Sequence, residues 1–335
     1  MPGASMQISL ITPARKDMRT GNRTTAVRWA RILRALAHRV QIATDYADEP
    51  ADLMIALHAW RSAASVRRFR ARYPDRPLIV GLAGTDIYRF QQTEPALTHG
   101  SMEMADRLVG LHELVSHAIP EAMREKLRII FQSVPPLPRR LPPLSGAFEV
   151  LVVGHLREEK DPLRTARAAR DLPVTSRIRV VHFGMAHDAH WAAAAKAEMT
   201  ANPRYQWRGE VPGGMVRRAM ARAQLMVLSS IMEGGANVVS EALVAGLPVL
   251  ASSIAGSIGL LGCDYPGYFP VGDTAALTEM LSRAETDGCF LDSLRRHCAA
   301  RAPLFSPEHE RDAWQALLRE LSDATRSAPA ARSAG

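Results

Sequence analysis

Five prolines fall within the fourteen residues VPPLPRRLPPLSGA, positions 134 to 147. Proline fixes φ and has no amide hydrogen, so Pro135, Pro136, Pro138, Pro142 and Pro143 cannot continue a helix or a central strand. The segment reads as an extended, semi-rigid connector. On each side of it, short apolar runs alternate with helical patterns. Before it the runs are 7–11, 39–43, 52–57, 77–81, 107–111 and 127–131, with helices clearest at 24–37 and 62–73. After it they are 148–153, 177–183, 205–207, 225–228, 248–251 and 267–271, followed by helical patterns near 274–285, 290–301 and 307–325. Repeated βα units imply mostly parallel sheets covered on both faces. The expected organisation is an α/β chain of two doubly wound, Rossmann-like domains. These are 1–140, a hinge at 141–147 and 148–325, with the last helix able to pack back on the first domain and a frayed tail at 326–335. Such sheets bind ligands beyond the C-terminal ends of their strands, which places the expected site in a cleft where the two domains face each other.

Bulk properties narrow the function classes. The 42 Lys and Arg against 34 Asp and Glu give a net charge of +8. Yet only Lys16, Lys126, Lys160 and Lys196 are lysines, and the arginines are spread along the chain with no basic run interleaved with aromatics. That pattern argues against nucleic acid and for a basic surface that attracts anionic substrates. No apolar run approaches the roughly 18 residues of a membrane span. The start MPGASMQISL lacks the pattern of a signal peptide. Cys263, Cys289 and Cys298 form no C-x-x-C pair, which argues against a disulfide framework or a zinc site and for a cytoplasmic protein.

The densest chemistry lies in SSIMEGGANVVSEALVAGLPVLAS, 229 to 252. After the apolar run at 225–228, Gly234 and Gly235 allow a sharp turn that can bring backbone N–H groups close to a ligand. A helix pattern starts at Asn237, read as its N-cap, and stops at Gly246 with Pro248 behind it. The free N–H groups of such a helix favour an anion. Glu241 lies one turn in, and helical side chains lean toward the N-terminus, so its carboxylate can reach a group bound there. An anion site ringed by Glu233 and Glu241 suits a ligand carrying both phosphates and hydroxyls, as a sugar nucleotide does. The second domain opens with FEVLVVGHLREEKDPL, whose strand-to-helix loop carries Arg157 and Lys160, with Asp161 as N-cap and Pro162 at the first helical position. A guanidinium fork beside an ammonium suits a diphosphate.

The GHLREEKDP loop, the YQWRGEV stretch and the E-G-G-x5-E-A-L-x-x-G-x-P-V segment together resemble glycosyltransferases of the GT-B fold, family 4. The resemblance implies that Arg157 and Lys160 hold the diphosphate of a UDP-sugar. It also implies that Glu233, Gly234, Gly235, Ala236 and Asn237 contact the transferred sugar and phosphates, that Glu241 holds the ribose, and that Arg208 and Gly209 flank the base. No D-x-D occurs in the chain, so neither a metal nor any other cofactor is expected. The one challenge, HFGMAHDAH at 182–190, lacks a fixed metal-ligand spacing.

The first domain's strand-end loops carry polar groups: Lys16, Arg19, Gly21, Asn22, Arg23 and Thr24 after the first strand, then His58 and Arg61, Thr85 and Asp86, and His112. Family-4 enzymes usually have Gly-Gly where this chain has Gly21-Asn22. So cationic a set suits a small anionic acceptor. GNRTTAVRWA, LHAWRSA and GTDIYR resemble one branch of family 4, the selenosugar synthases of selenoneine biosynthesis. That resemblance implies transfer of N-acetylglucosamine from UDP-N-acetylglucosamine to selenophosphate, forming a C–Se bond and releasing UDP. Lys16, Arg19 and Arg23 would hold the acceptor's phosphate group, and Asp86 and His58 would orient the acceptor or the sugar. The alternatives are a family-4 transferase with a carbohydrate or lipid acceptor and a non-catalytic nucleotide-sugar-binding protein.

Overall fold

The computed structural model describes residues 5–17, 20–137 and 139–327. The chain divides into two compact units, one made of residues 1–132 with 307–335 and the other of 133–306. The division thus falls at residue 132, ahead of the proline-rich segment, and the segment after Ser306 belongs with the first unit.

Six parallel strands form the first unit's sheet: β1 (Gln7–Ile11), β2 (Arg39–Ala43), β3 (Leu53–Leu57), β4 (Leu78–Gly81), β5 (Arg107–Gly110) and β6 (Leu127–Ile129). Their order is β2-β1-β3-β4-β5-β6. Alternation along β3 feeds two cores. Leu53, Ile55 and Leu57 join Ile8, Leu10, Trp29 and Leu33 on one face, whereas Met54 and Ala56 join Val66, Phe69 and Val80 on the other. Gly81 is required here, because a Cβ would meet the Trp29 ring at 2.8 Å.

The last described helix, Pro307–Ser327, completes the first of these cores. Trp314 meets Trp29 edge to face with ring centroids 4.8 Å apart. The fully buried Glu310 accepts from Trp29 Nε1 at 3.1 Å and pairs with the buried Arg28 guanidinium at 3.1 Å. Glu320 further along takes Arg107 Nε at 2.9 Å and Arg128 Nε at 2.9 Å.

The second unit's strands are β7 (Phe148–Val153), β8 (Ile178–Phe183), β9 (Tyr205–Trp207), β10 (Leu225–Leu228), β11 (Val249–Ser252) and β12 (Tyr268–Phe269). Again all pairs are parallel, in the order β12-β11-β10-β7-β8-β9. β7 lies between β8 and β10, so the loops leaving those three strands are neighbours at the C-terminal end of the sheet. The segment 133–147 is anchored on this unit. Arg140 donates to the carbonyls of Met220 and Ala223, each at 2.6 Å, and Arg217 reaches Pro135 O at 2.8 Å. Among the described residues, no helix is long and apolar enough to cross a membrane.

Candidate active site

In the second unit the loops after β7 and β10 are bound to each other. Ser229 Oγ donates to the carbonyls of Lys160 at 3.2 Å and Asp161 at 2.9 Å, and the Ile231 amide donates to Glu159 O at 2.8 Å. These bonds bring Lys160 Nζ onto Glu233 Oε1 in a short ion pair, and the same oxygen accepts Ser230 Oγ at 2.6 Å. Both side chains are mostly buried, at 19% and 9% exposure for Lys160 and Glu233, so their mutual attraction is screened less than a surface pair's. Glu233 is seated from the far side by Gly256, where a Cβ would lie 2.2 Å from Glu233 O. Lys160 and Ser230 also line a small hollow at the ends of β7 and β10, floored by Gly154, His182 and Ser229.

Asp161 is not the N-cap of a helix, as the Asp-Pro pair suggests. It adopts the left-handed conformation (φ 41°, ψ 58°) after a short 3₁₀ turn, Glu158–Lys160, and the helix proper, Arg164–Arg170, begins three residues later. Its carboxylate accepts Arg164 Nε at 2.7 Å, and Arg164 Nη1 donates onward to Thr274 Oγ1 at 2.6 Å. Arg157 opens the 3₁₀ turn in extended backbone, with its guanidinium Nε 3.8 Å from Glu159 Oε2. Asn237 is likewise the first helical residue of Asn237–Val244, with Ala236 at the cap. Gly234 and Gly235 make the preceding turn, with Gly235 at φ 143°, and Glu241 sits half-buried one turn into the helix.

The loop after β8 belongs to this assembly. Gly184 is pressed against Gly154, where a Cβ would meet the Gly154 carbonyl at 1.8 Å. Gly184's amide donates to Gly209 O at 2.9 Å, and the exposed Arg208 donates its amide to His182 O at 2.8 Å. Gly209 itself turns with φ 67°. His182 is fully buried beneath the loop, with Nε2 3.0 Å from Gly154 O and Nδ1 2.9 Å from Tyr205 Oη. A carbonyl only accepts, so Nε2 carries the hydrogen and Nδ1 takes the tyrosine's. Burial pushes the His182 pKa down to about 4, which keeps the ring neutral. Asp188 caps the next helix by accepting Trp191 N–H at 3.0 Å. Among the described residues, no three His, Cys, Asp or Glu side chains gather as a metal would need.

In the first unit, the helix after β1 starts earlier than the sequence pattern suggests. Its range is Gly21–Ala35, and Thr20 is the cap, its Oγ1 accepting from the Arg23 amide at 3.4 Å. Gly21, Asn22 and Arg23 therefore form the first helical turn, with Thr24 next and an exposed Lys16 in the loop before it. Arg19 lies outside the described residues.

The loops after β3 and β4 are joined through Asp86. This fully buried carboxylate accepts four backbone amides: Ala59 at 3.0 Å, Ala83 at 3.0 Å, Gly84 at 2.7 Å and Ile87 at 3.1 Å. Asp86 therefore holds these two loops together through backbone amides. His58 sits in the left-handed region at φ 75°, a strained position for a side chain with a Cβ. Its Nδ1 accepts the Arg61 amide at 3.2 Å and its Nε2 lies 2.9 Å from Thr85 Oγ1. Burial lowers its pKa against the opposing pull of Asp86. The exposed Arg61 guanidinium lies 5.8 Å from the Trp60 ring centroid, and Trp60 stacks on Phe90 at 3.8 Å. His112 is buried at the end of β5, its Nε2 3.1 Å from Tyr88 Oη.

Sequence reasoning thus assembled Lys160 with Glu233 but missed what holds them: Ser229, Ser230 and Gly256. It also missed Thr20 and Tyr88. Ser229 and Ser230 follow an apolar strand directly, and that adjacency was the available signal.

Residues 137–304 match the family model described as glycosyl transferases group 1. The chain is 27% identical over 281 residues to a Bacillus subtilis protein, TuaC, named as a teichuronic acid biosynthesis glycosyltransferase; the match covers 77% of this chain and 68% of that one. Among solved structures, Anabaena HepE in complex with UDP and glucose superposes with a TM-score of 0.73 at 15% identity, covering 95% of this chain and 100% of that one. Sucrose-phosphate synthase from Thermosynechococcus elongatus gives a TM-score of 0.77 at 16% identity, over 95% and 99% of the two chains. At such identity these structures speak to the fold, which is that of GT-B glycosyltransferases. The matched span takes in the whole of the second sheet with its strand-end loops, and the chain belongs to the glycosyl transferases group 1 family.

Proposed function

We propose that this glycosyltransferase moves N-acetylglucosamine from UDP-N-acetylglucosamine to selenophosphate. The observation that carries the donor half is the Lys160–Glu233 pair, locked by Ser229 and Ser230 where the β7 and β10 loops meet. It sets a cation beside a carboxylate that lies just ahead in sequence of the N-terminus of Asn237–Val244, an arrangement suited to a diphosphate joined to a hydroxylated sugar. Arg157 would share the diphosphate with Lys160. Glu233 and the turn from Gly234 to Asn237 would take the sugar, Glu241 the ribose, and Arg208 and Gly209 would flank the base. UDP bound to HepE on the same fold agrees with this reading.

The acceptor half rests on the first unit's cationic loop and on the likeness of GNRTTAVRWA, LHAWRSA and GTDIYR to selenosugar synthases. Lys16, Arg19 and Arg23, with the first turn at Gly21 and Asn22, would hold the phosphate group. Selenium then attacks the anomeric carbon: the C–Se bond forms, the bond from that carbon to the diphosphate oxygen breaks, and UDP leaves with the electron pair. Loss of phosphate to water afterwards yields the selenosugar. The selenium is already anionic near neutral pH, so it needs positioning more than deprotonation. Charge grows on departing UDP, where Lys160, Arg157 and the helix N-terminus would stabilise it without a metal. We place the reaction in the cytoplasm.

The likeness to TuaC supports a second reading, a carbohydrate acceptor. Purified chain given a panel of UDP-sugars, with and without selenophosphate, separates the two. Selenophosphate-dependent UDP release, greatest with UDP-N-acetylglucosamine, is expected; release that ignores selenophosphate would leave the family assignment and sink the acceptor.

A further inference from the structure

Two buried histidines each back a hydroxyl on the loop that leaves β4. His58 Nδ1 accepts the Arg61 amide, so the hydrogen of the neutral ring is on Nε2, and Nε2 donates to Thr85 Oγ1 at 2.9 Å. That leaves the Thr85 hydroxyl hydrogen uncommitted. On the other side of the loop, His112 Nε2 is 3.1 Å from Tyr88 Oη, and His112 Nδ1 is buried with no partner among the described residues. A hydrogen on Nδ1 would be an orphaned buried N–H, the rarer and costlier kind of unpaired group. A hydrogen on Nε2 instead donates to the tyrosine oxygen and leaves only a lone pair unmatched. The Tyr88 hydroxyl hydrogen is then also uncommitted. Thr85 and Tyr88 are three residues apart beyond the C-terminal end of the sheet's fourth strand, both half-exposed, on a segment that Asp86 holds through three of its own amides and ties to the β3 loop through the Ala59 amide.

We infer that Thr85 and Tyr88 are an oxyanion-binding pair for the acceptor, each hydroxyl turned outward because a buried histidine occupies its oxygen. This rests on the reading that the first unit's strand-end loops take the acceptor, and it adds to that reading the donors that select a phosphate-type oxygen. Two neutral O–H donors on a rigid loop complement the cations after β1: the cations supply charge, and the hydroxyls supply direction.

The tautomers and the affinity are measured separately. Nitrogen-detected NMR of the full chain should show His58 and His112 neutral with hydrogen on Nε2 at pH 7. An Nδ1–H signal for His112 overturns the Tyr88 half, and one for His58 overturns the Thr85 half. In UDP-release assays, Thr85→Val and Tyr88→Phe should each raise the selenophosphate KM about tenfold with the donor KM unchanged, and Thr85→Ser should restore it. Titration with inorganic phosphate, which cannot accept the sugar, distinguishes this inference from the acceptor identity. Weaker phosphate binding by Tyr88→Phe than by the parent chain supports the pair even if selenophosphate is not turned over. Equal phosphate binding, including none by either, overturns it.

Discussion

Glu233 Oε1 receives both the ammonium of Lys160 and the hydroxyl of Ser230, so one carboxylate oxygen ties the end of β7 to the end of β10. In this state Lys160 is already committed. On the proposed donor placement, a diphosphate would share Lys160 with Glu233 or draw it away, and the other Glu233 oxygen would take a sugar hydroxyl. If the pair works as a unit, its members are not independent. Lys160→Ala and Glu233→Gln should each lower UDP release by roughly a hundredfold, the scale of losing one preorganised donor. The double variant should cost much less than the product of the two, as expected for partners in contact. Additive losses in a double-mutant cycle on kcat would show that the two act separately.

Gly256 has no room for a side chain because Glu233 O would lie 2.2 Å from its Cβ. The obstacle is backbone, which cannot swing aside. Gly256→Ala should therefore destabilise the chain by about 1–3 kcal/mol, the usual cost of overpacking, and lower UDP-sugar affinity with it. Gly213, where a Cβ would meet nothing within 4 Å, is the matched control. Gly213→Ala should leave thermal unfolding within about 0.5 kcal/mol of the parent.

Asp161 combines a left-handed backbone with a carboxylate that holds Arg164. Glycine relieves the first and forfeits the second, so Asp161→Gly should fall within about 1 kcal/mol of the parent. Asp161→Val keeps the strain, loses the bond and adds a β-branch. It should be destabilised by about 1–3 kcal/mol and should weaken turnover through the misplaced neighbour Lys160. Denaturant unfolding of both variants checks the order; valine as stable as glycine would contradict it.

Burial holds His182 and His112 neutral, each pushed down to about 4 from an ordinary 6.5. The unfolded chain then binds protons first on acidification. Their contribution to stability is complete above pH 6.5 and is lost as pH falls toward about 4. The melting temperature should drop across that window. In His182→Gln, which keeps an N–H for Gly154 O, the drop should be shallower. An equal slope in the variant would mean that His182 does not contribute to acid sensitivity.

Much of the fold was legible because the signals are local. β7 runs from Phe148 to Val153 as read, since a branched apolar run lies between Gly146 and Gly154. The misreadings have physical causes. Gly21 and Asn22 are poor helix formers, so the first turn looked like loop, although Thr20 one residue earlier is a good cap. Asp161-Pro162 has the composition of a helix start, but Ser229 and Arg164, distant and near in sequence, draw Asp161 into a left-handed turn. Asp86 showed its charge in the sequence and nothing of the four amides that converge on it. Backbone donors carry no residue identity, so a carboxylate they satisfy reads like one awaiting a substrate.

The donor site itself is tested most directly by calorimetric titration of UDP into the full chain and into Lys160→Ala and Glu241→Ala. Saturable binding by the parent, weakened about tenfold or more in each variant, is the expected result, the scale of a lost hydrogen bond to a charged group. UDP binding of unchanged affinity in both variants would contradict the placement of the donor at the ends of β7 and β10.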